Sequence, residues 1–331
     1  MNTPSTLAPQ LGAARRWRPT PLITGSAALH AGAAAALLAQ PSTWPWAVGG
    51  VIASHLALAA AGLWPRSALL GPNWTRLPRA VDGSDDRRIA LTIDDGPDPE
   101  VTPRVLDLLD QHGARATFFC IGDLARRHPR YVEEIVARGH AVENHSQRHR
   151  HNFSISGPSA LRREIEAAQR TLTEITGMRP YFFRAPAGLR NPFLEPVLCE
   201  FGLQLASWTR RGFDTREHDG HKVAQRLLDG LAPRDILLLH DGHAARGPSG
   251  NPVVLDALPE VLRAAAMAKL RWTTLRDALD LDLDLAPATV NTAANPAVNP
   301  AATDSRQAER PRQPAGLPGR NGAGHPPFDK I

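Results

Sequence analysis

Two hydrophobic patterns divide the chain. Positions 19–65 hold no charged residue, and within them Pro21–Gln40 and Trp46–Trp64 are apolar without a polar stripe. Each run has about the ~20 residues that a helix needs to cross a bilayer. Pro41-Ser-Thr-Trp-Pro45 is a turn between them. Trp17, Trp44, Trp46 and Trp64 fall at the run ends, where indole favours the headgroup region. His30 and His55, one in each run, suit interhelical hydrogen bonding better than metal ligation. The pattern predicts a basic N-terminal segment (1–20), a transmembrane helical hairpin (21–65) and a linker (66–85). A soluble Ala-rich helix pair and a cleaved export signal are the competing readings. The second run and its flanking arginine do not fit a signal peptide.

From residue 86 strand and helix periods alternate. Arg88–Ile93 is an apolar strand running into acids. Thr102 offers an N-cap with Pro103 at the first helical position, and Val101, Val105, Leu108 and Leu109 share a face before Gly113 stops the helix. Strand Ala116–Cys120, helix Pro129–Arg138 (ended by Gly139) and strand His140–Asn144 follow. Leu161, Ile165, Ala168, Leu172 and Ile175 stripe a long helix closed by Gly177. Tyr181–Arg184, Gln204–Trp208, Asp235–Leu239 and Arg271–Leu275 are further strands. Repeated strand–helix units predict an α/β fold with a parallel sheet over 86–282. The Ala/Pro-rich end, 283–331, has no apolar periodicity and is expected to be a disordered tail.

Charge refines this picture. Residues 1–80 carry six arginines and no acid, and residues 285–331 carry five bases and three acids. The basic character of the chain therefore belongs to its ends, and it argues against a nucleic-acid-binding core. Three arginines precede the first apolar run, three follow the second, and the connecting turn has none. The positive-inside rule then puts both ends of the hairpin, and the domain after it, on the cytosolic face of a bacterial-type inner membrane. Cys120 and Cys199 form no Cys-x-x-Cys pair and are expected as buried thiols.

Candidate chemistry gathers at predicted strand ends: Asp94, Asp95, His145, Arg184, Asp214 and His240. Taken singly, each has a bland explanation, such as a solvated acid pair, a surface histidine pair or a core histidine. In parallel α/β folds, however, chemistry collects at the carboxyl ends of strands. The i, i+4 spacing of His145 and His149 would bring both imidazoles to one side of a helical turn. Two histidines and one carboxylate leave metal positions open, which suits catalysis rather than structure.

The run Leu91-Thr-Ile-Asp-Asp-Gly-Pro, then Ala116-Thr-Phe-Phe, Gly139-His-Ala-Val-Glu-Asn-His-Ser-Gln-Arg-His149, Phe183-Arg-Ala-Pro and Leu237-Leu-Leu-His-Asp241 resembles the NodB-like polysaccharide deacetylases. These are NodB homology domains of the carbohydrate esterase type. The resemblance implies a distorted (β/α) barrel that removes N-acetyl, O-acetyl or formyl groups from sugars. It makes Asp95, His145 and His149 the ligands of Zn²⁺ or another divalent transition metal, with Asp94 as general base. It further implies Arg184 as the partner of Asp94, the backbone N–H of Ala187 as an oxyanion donor and His240 as proton donor. Two departures stand out. Ala187 replaces the aromatic residue usual after Arg-x-Pro, so one wall of the sugar pocket is smaller. In Ala206-Ser-Trp-Thr-Arg-Arg-Gly-Phe-Asp214, Trp208 comes first and Arg211 stands where an acid is expected. Trp208 is assigned to the substrate side. Asp214 is the candidate for steering His240 or Arg184, with a turn or N-cap role as its alternative.

The resulting expectation is a membrane-anchored, metal-dependent N-deacetylase acting on an acetylated amino-sugar glycan or a lipid-linked saccharide. An O-acetyl esterase or deformylase of the same fold, and a non-catalytic membrane-bound glycan-binding protein, are the alternatives.

Overall fold

The computed structural model describes residues 14–79 and 86–283. Apart from Leu283, which ends a helix, the expected disordered tail lies outside these, as do residues 1–13 of the expected basic N-terminal segment and residues 80–85 of the expected linker. Two helices come first, α1 (Pro21–Ala39) and α2 (Trp44–Leu63), with a 3₁₀ turn at Pro41–Thr43 between them. Thr20 caps α1 by accepting from Ile23 N–H. Both are long and apolar enough to cross a membrane by length and composition alone. Apolar side chains cover them on all sides, and no residue of α1 is buried. They pack antiparallel, joined by the Ser54–Ser26 hydroxyl bond (2.8 Å) and edge-on His30–His55 rings.

An α/β half follows in the order β1 (Arg88–Asp94), α3 (Thr102–Gln111), β2 (Ala116–Cys120), α4 (Gly122–Arg127), α5 (Pro129–Ala137), β3 (Ala141–Asn144), α6 (Pro158–Thr176), β4 (Phe182–Phe183), α7 (Leu194–Glu200), β5 (Gln204–Leu205), β6 (Arg210–Arg211), α8 (Gly220–Leu228), β7 (Ile236–His240), α9 (Val253–Met267), β8 (Arg271–Trp272) and α10 (Leu275–Leu283). Every strand pair is parallel. The sheet order is β5-β4-β3-β2-β1-β7-β6, with β8 beside the first residues of β1. β5 and β6 stand at opposite ends of this order, yet residues 206–209 alone join them. Since four linking residues reach no further than about 3.5 Å each, the sheet must curl until its edges nearly meet. The result is a curled parallel half-barrel with helices outside, which is the α/β fold expected.

The curl sorts side chains by parity. Ala90, Ile236, Leu238 and Phe119 belong to the inner cluster with Phe182 and Trp208. Leu91, Ile93, Phe118, Leu237 and Leu239 belong to the outer cluster under the helices. Asp94 shares the parity of Ala90, and His240 that of Ile236 and Leu238. Both therefore face inward at the carboxyl end of the sheet.

Several boundaries differ from expectation. α3 begins at Thr102, so Val101 is its N-cap and Thr102 is not. The Thr102 hydroxyl instead accepts from Asp98 N–H and bonds the Asp241 carboxylate. On α3, Leu106 is buried and Leu108 only half-buried. The strands expected over Tyr181–Arg184, Gln204–Trp208 and Arg271–Leu275 shrink to two residues each. Residues 66–79, read as linker, lie along the barrel. Trp74 N–H bonds Leu205 O, Leu77 N–H bonds Arg234 O, and Leu70 and Leu77 are buried.

The hairpin docks on this half through the end of α2. Arg190 N–H donates to Gly62 O (3.1 Å), and the Arg190 guanidinium donates to Ser67 O (2.5 Å). A Cβ on Gly62 would stand 2.1 Å from Arg190 O. Gly62→Ala should therefore loosen the junction and destabilise the protein by about 1–3 kcal/mol, the usual cost of overpacking. Thermal unfolding in detergent measures this, and an unchanged midpoint would show that the contact carries no weight.

Candidate functional site

β1 ends on Asp94, and the chain turns sharply at Asp95, whose φ is 72°. That turn sends the two neighbouring carboxylates different ways. Asp94 faces Arg184, whose Nη1 donates to its Oδ1 at 2.7 Å and to Thr92 Oγ1 at 2.8 Å. The same guanidinium donates to Ala206 O and Ser207 O and lies 4.1 Å from the Phe119 ring centroid. Arg184 is only 1% exposed. Burial pushes its pKa down, and the Asp94 charge opposes that. Each of its three guanidinium nitrogens has a hydrogen-bond partner, which is the condition for a buried charge to be tolerated.

Asp95 faces the histidines. The Nε2 atoms of His145 and His149 each stand 3.2 Å from Asp95 Oδ1. That oxygen is buried and accepts no well-formed hydrogen bond. One ligand atom from each of the three residues lies within 4.8 Å of the others. Tetrahedral bonds of 2.0–2.1 Å place ligand atoms about 3.3 Å apart. An orphaned carboxylate oxygen at that spacing from two imidazole nitrogens fits a divalent cation. His145 Nδ1 lies 2.8 Å from Arg184 O, which places the proton on Nδ1 and leaves the Nε2 lone pair free for a metal. Burial raises the Asp95 pKa, but the histidines around it, His145 and His243 first, outweigh it and hold the carboxyl far below the usual range. Burial, and then the charge of His145, push His149 down to about 4, so it is neutral and able to ligate.

The two histidines do not meet on a helical turn, contrary to the expectation from their spacing. Residues 145–149 are an irregular loop in which Ser146 (φ 65°) and His149 (φ 49°) are left-handed. Tertiary contacts set this path. Ser146 Oγ accepts from His149 N–H, and Asn144 Oδ1 accepts from Ser146 N–H. The first N–H groups of α4, from Gly122 and Asp123, donate to Ser146 O and Gln147 O.

His240 ends β7 directly beside Asp94 in the sheet register. Asp214 accepts from His240 N–H (2.6 Å) and pairs with His240 Nδ1 (2.8 Å), so it serves His240 and not Arg184. Burial lowers the His240 pKa, but the Asp214 charge and hydrogen bond outweigh it and push it up to about 9.

A cavity of about 290 Å³ opens over these groups. Asp94, Asp95, His145, His149, Ala187, Trp208 and His240 line it, while Arg184 and Asp214 stand behind it. Ala187 sits at φ 55° in the turn after Arg184. Cys120 and Cys199 are both buried free thiols. Sequence reasoning passed over His243, whose Nδ1 lies 3.5 Å from Asp95 Oδ2, and His151 and Arg216, which line the cavity. It also passed over Asp241, which is buried behind the site. The only available signal was the run His240-Asp-Gly-His243. Gly242 is required there, because a Cβ would meet Asp95 O at 2.1 Å.

Comparison with known proteins identifies the family. The family profile described as "Polysaccharide deacetylase" matches residues 82–206. A peptidoglycan-N-acetylglucosamine deacetylase of Bacillus cereus is 32% identical over 198 residues, 59% of this chain and 90% of that protein. A chitooligosaccharide deacetylase of Azorhizobium caulinodans is 36% identical over 159 residues, 46% of this chain and 73% of that one. The peptidoglycan-N-acetylglucosamine deacetylase PgdA of Listeria monocytogenes is 32% identical over 54% of this chain, which spans only 37% of that longer protein. A crystal structure of a peptidoglycan N-acetylglucosamine deacetylase superposes with a TM-score of 0.55 at 26% identity, covering 62% of this chain and 92% of that one. The chain belongs to the polysaccharide deacetylase family and is a hydrolase acting on non-peptide carbon–nitrogen bonds.

The Asp214–His240 pair sets a pH dependence. A pKa raised from 6.5 to about 9 on folding contributes stability that is fully present below about pH 6.5 and is lost as pH rises through about 9. Asp214→Asn should therefore destabilise chelator-treated protein most at pH 6, and the gap to wild type should shrink above pH 9. Urea titrations at the two pH values measure it, and a pH-independent gap would contradict the charge pairing.

Proposed function

We propose that this protein is a membrane-anchored, metal-dependent deacetylase that removes the N-acetyl group of an amino sugar in a glycan or lipid-linked saccharide. The observation that carries the reading is the convergence of Asp95, His145 and His149 beside Asp94 and His240 in one cavity. Asp95, His145 and His149 would hold the cation, for which Zn²⁺ suits the donor set. When bound, it supplies Lewis acidity that polarises the amide carbonyl and makes water more acidic.

The protein's own groups do the rest. Asp94 takes a proton from the attacking water, and Arg184 keeps it aimed at the cavity. The backbone N–H of Ala187 donates to the oxyanion of the tetrahedral intermediate. His240, cationic to about pH 9 beside Asp214, gives its proton to the leaving nitrogen, because an amine leaves poorly unless protonated. Trp208 provides an apolar face for the sugar ring. Water and amide are thus converted to a free amine and acetate. The named activities of the relatives, on peptidoglycan and chitooligosaccharide, support an acetylated amino sugar as substrate.

The membrane placement rests on the apolar surface of the hairpin. Trp44, Trp46 and Trp64 are exposed at its ends, with Leu38 beside the turn and Leu56 along its side. Arg15, Arg16, Arg18 and Arg66 lie at the end that carries the catalytic half, so we place that half at the cytosolic face. The domain division follows: hairpin over 21–65, catalytic half from 86 to 282.

Two experiments test the reading. Asp94→Asn should lower kcat by about 10²–10⁴-fold with bound metal unchanged by elemental analysis, whereas His145→Ala should lose metal and activity together. Near-normal turnover in Asp94→Asn would overturn the base assignment. A fluorescent protein fused to the C-terminus should glow and an exported phosphatase fused there should be silent; the reverse pattern would invert the orientation.

A further inference from the structure

We infer that the cavity contains a phosphate subsite built from Arg211 and Arg216, so that the acetamido sugar it accepts carries a phosphate. The inference rests on the deacetylase reading for the sugar, and on separate observations for the phosphate.

Arg211 and Arg216 both line the cavity that holds Asp94, Asp95 and His240. Arg211 is half-buried on β6, and its guanidinium carbon lies 5.4 Å from the Trp208 ring centroid and 5.1 Å from that of Phe213. Two aromatic faces therefore orient it without help from an acid. Its Nε is buried and has no hydrogen-bond partner. Among the described residues neither Arg211 nor Arg216 pairs with a carboxylate, and the acids around them are already engaged. Arg184 holds Asp94, and His240 holds Asp214. The histidines face Asp95, and Arg226 holds Glu217 at 2.8 Å.

A partly desolvated guanidinium with an unused donor is costly unless something anionic meets it. The planar donor fork of arginine matches phosphate oxygens, and two guanidinium groups match the roughly −1.5 to −2 charge of a phosphate monoester. Arg216 also borders a second hollow of about 300 Å³, shared with Phe213, Glu217 and Arg226. The anion thus sits at the rim between the two hollows, away from the acids at the centre. A neutral glycan chain would leave both arginines unanswered. The phosphate could come from a free sugar phosphate or from a lipid carrier. The turn bearing Ala187 and Gly188 lines this cavity and touches Pro65, just beyond α2, which brings the cavity close to the hairpin end.

The test compares deacetylation of N-acetylglucosamine 1-phosphate, polyprenyl-diphosphate-linked N-acetylglucosamine in vesicles, and neutral tri-N-acetylchitotriose by the full-length, metal-loaded protein. Wild type should favour a phosphorylated substrate by about ten-fold or more in kcat/KM, the scale of one charge-assisted contact. Added salt should erode that preference through KM. The R211Q/R216Q double variant should lose most of the preference. A wild-type enzyme indifferent to phosphate, or a double variant that keeps the preference, would overturn the subsite. Faster turnover of the lipid-linked sugar would assign the phosphate to a membrane lipid, and faster turnover of the soluble one to a free sugar phosphate. If none of the three releases acetate, the deacetylase reading fails on its own. Calorimetric titration with N-acetylglucosamine 1-phosphate then decides the subsite: binding by wild type that R211Q/R216Q loses supports it, and absence of binding overturns it.

Discussion

Arg184 carries a full charge at a point where the protein admits almost no water, and the site is arranged around that fact. Such a charge persists only when it is paired and well hydrogen-bonded. Asp94 supplies the counter-charge, and Thr92, Ala206 and Ser207 accept three further hydrogen bonds from the guanidinium. These partners come from β1 and from the chain leaving β5, so the guanidinium ties together strands that lie far apart in the sheet order. The carbonyl of the same residue meets His145 Nδ1. One residue thus orients the acid proposed as base and the imidazole proposed as ligand. Because Asp94 is committed to Arg184, Asp95 is the acid left to face the histidines.

The rest of the site follows the same rule of paired charges. His240 keeps its proton because Asp214 stands behind it, and Asp214 in turn is fully buried with its two oxygens on His240. The groups proposed to accept and to donate the proton, Asp94 and His240, are adjacent in the sheet register, yet each is held by its own counter-charge. Such separation of neighbouring titratable groups is how one cavity can run acid and base chemistry together. Among the described residues, Arg211 and Arg216 are the exception, since they line the cavity without a carboxylate partner.

The hairpin is not an independent appendage. Its end is bonded to Arg190, and Pro65 touches Gly188 in the turn that carries Ala187. A tight backbone contact of this kind leaves little freedom between α2 and one wall of the cavity. The helices proposed to lie in the membrane therefore bear directly on the geometry of the site.

Much of this was legible in the chain. Strand Ala116–Cys120 and the glycine closing α6 stand where local pattern puts them, because strand period and a left-handed stop are properties of consecutive residues. The gathering of Asp94, Asp95, His145, Arg184 and His240 at strand ends was legible for the same reason, since parallel α/β architecture forces it. The short strands were not, because two-residue ladders owe their existence to neighbours in the sheet rather than to their own pattern. Nor was the path of His149, which owes its position to Ser146, Asn144 and the start of α4, or the choice of Asp214 between two partners. His243 reaches Asp95 only because Gly242 lets two loops touch. Local sequence decided which elements form and which residues stand at their ends. Contacts between distant segments decided which charges meet, because a buried charge is placed by partners that the curl of the sheet brings to it.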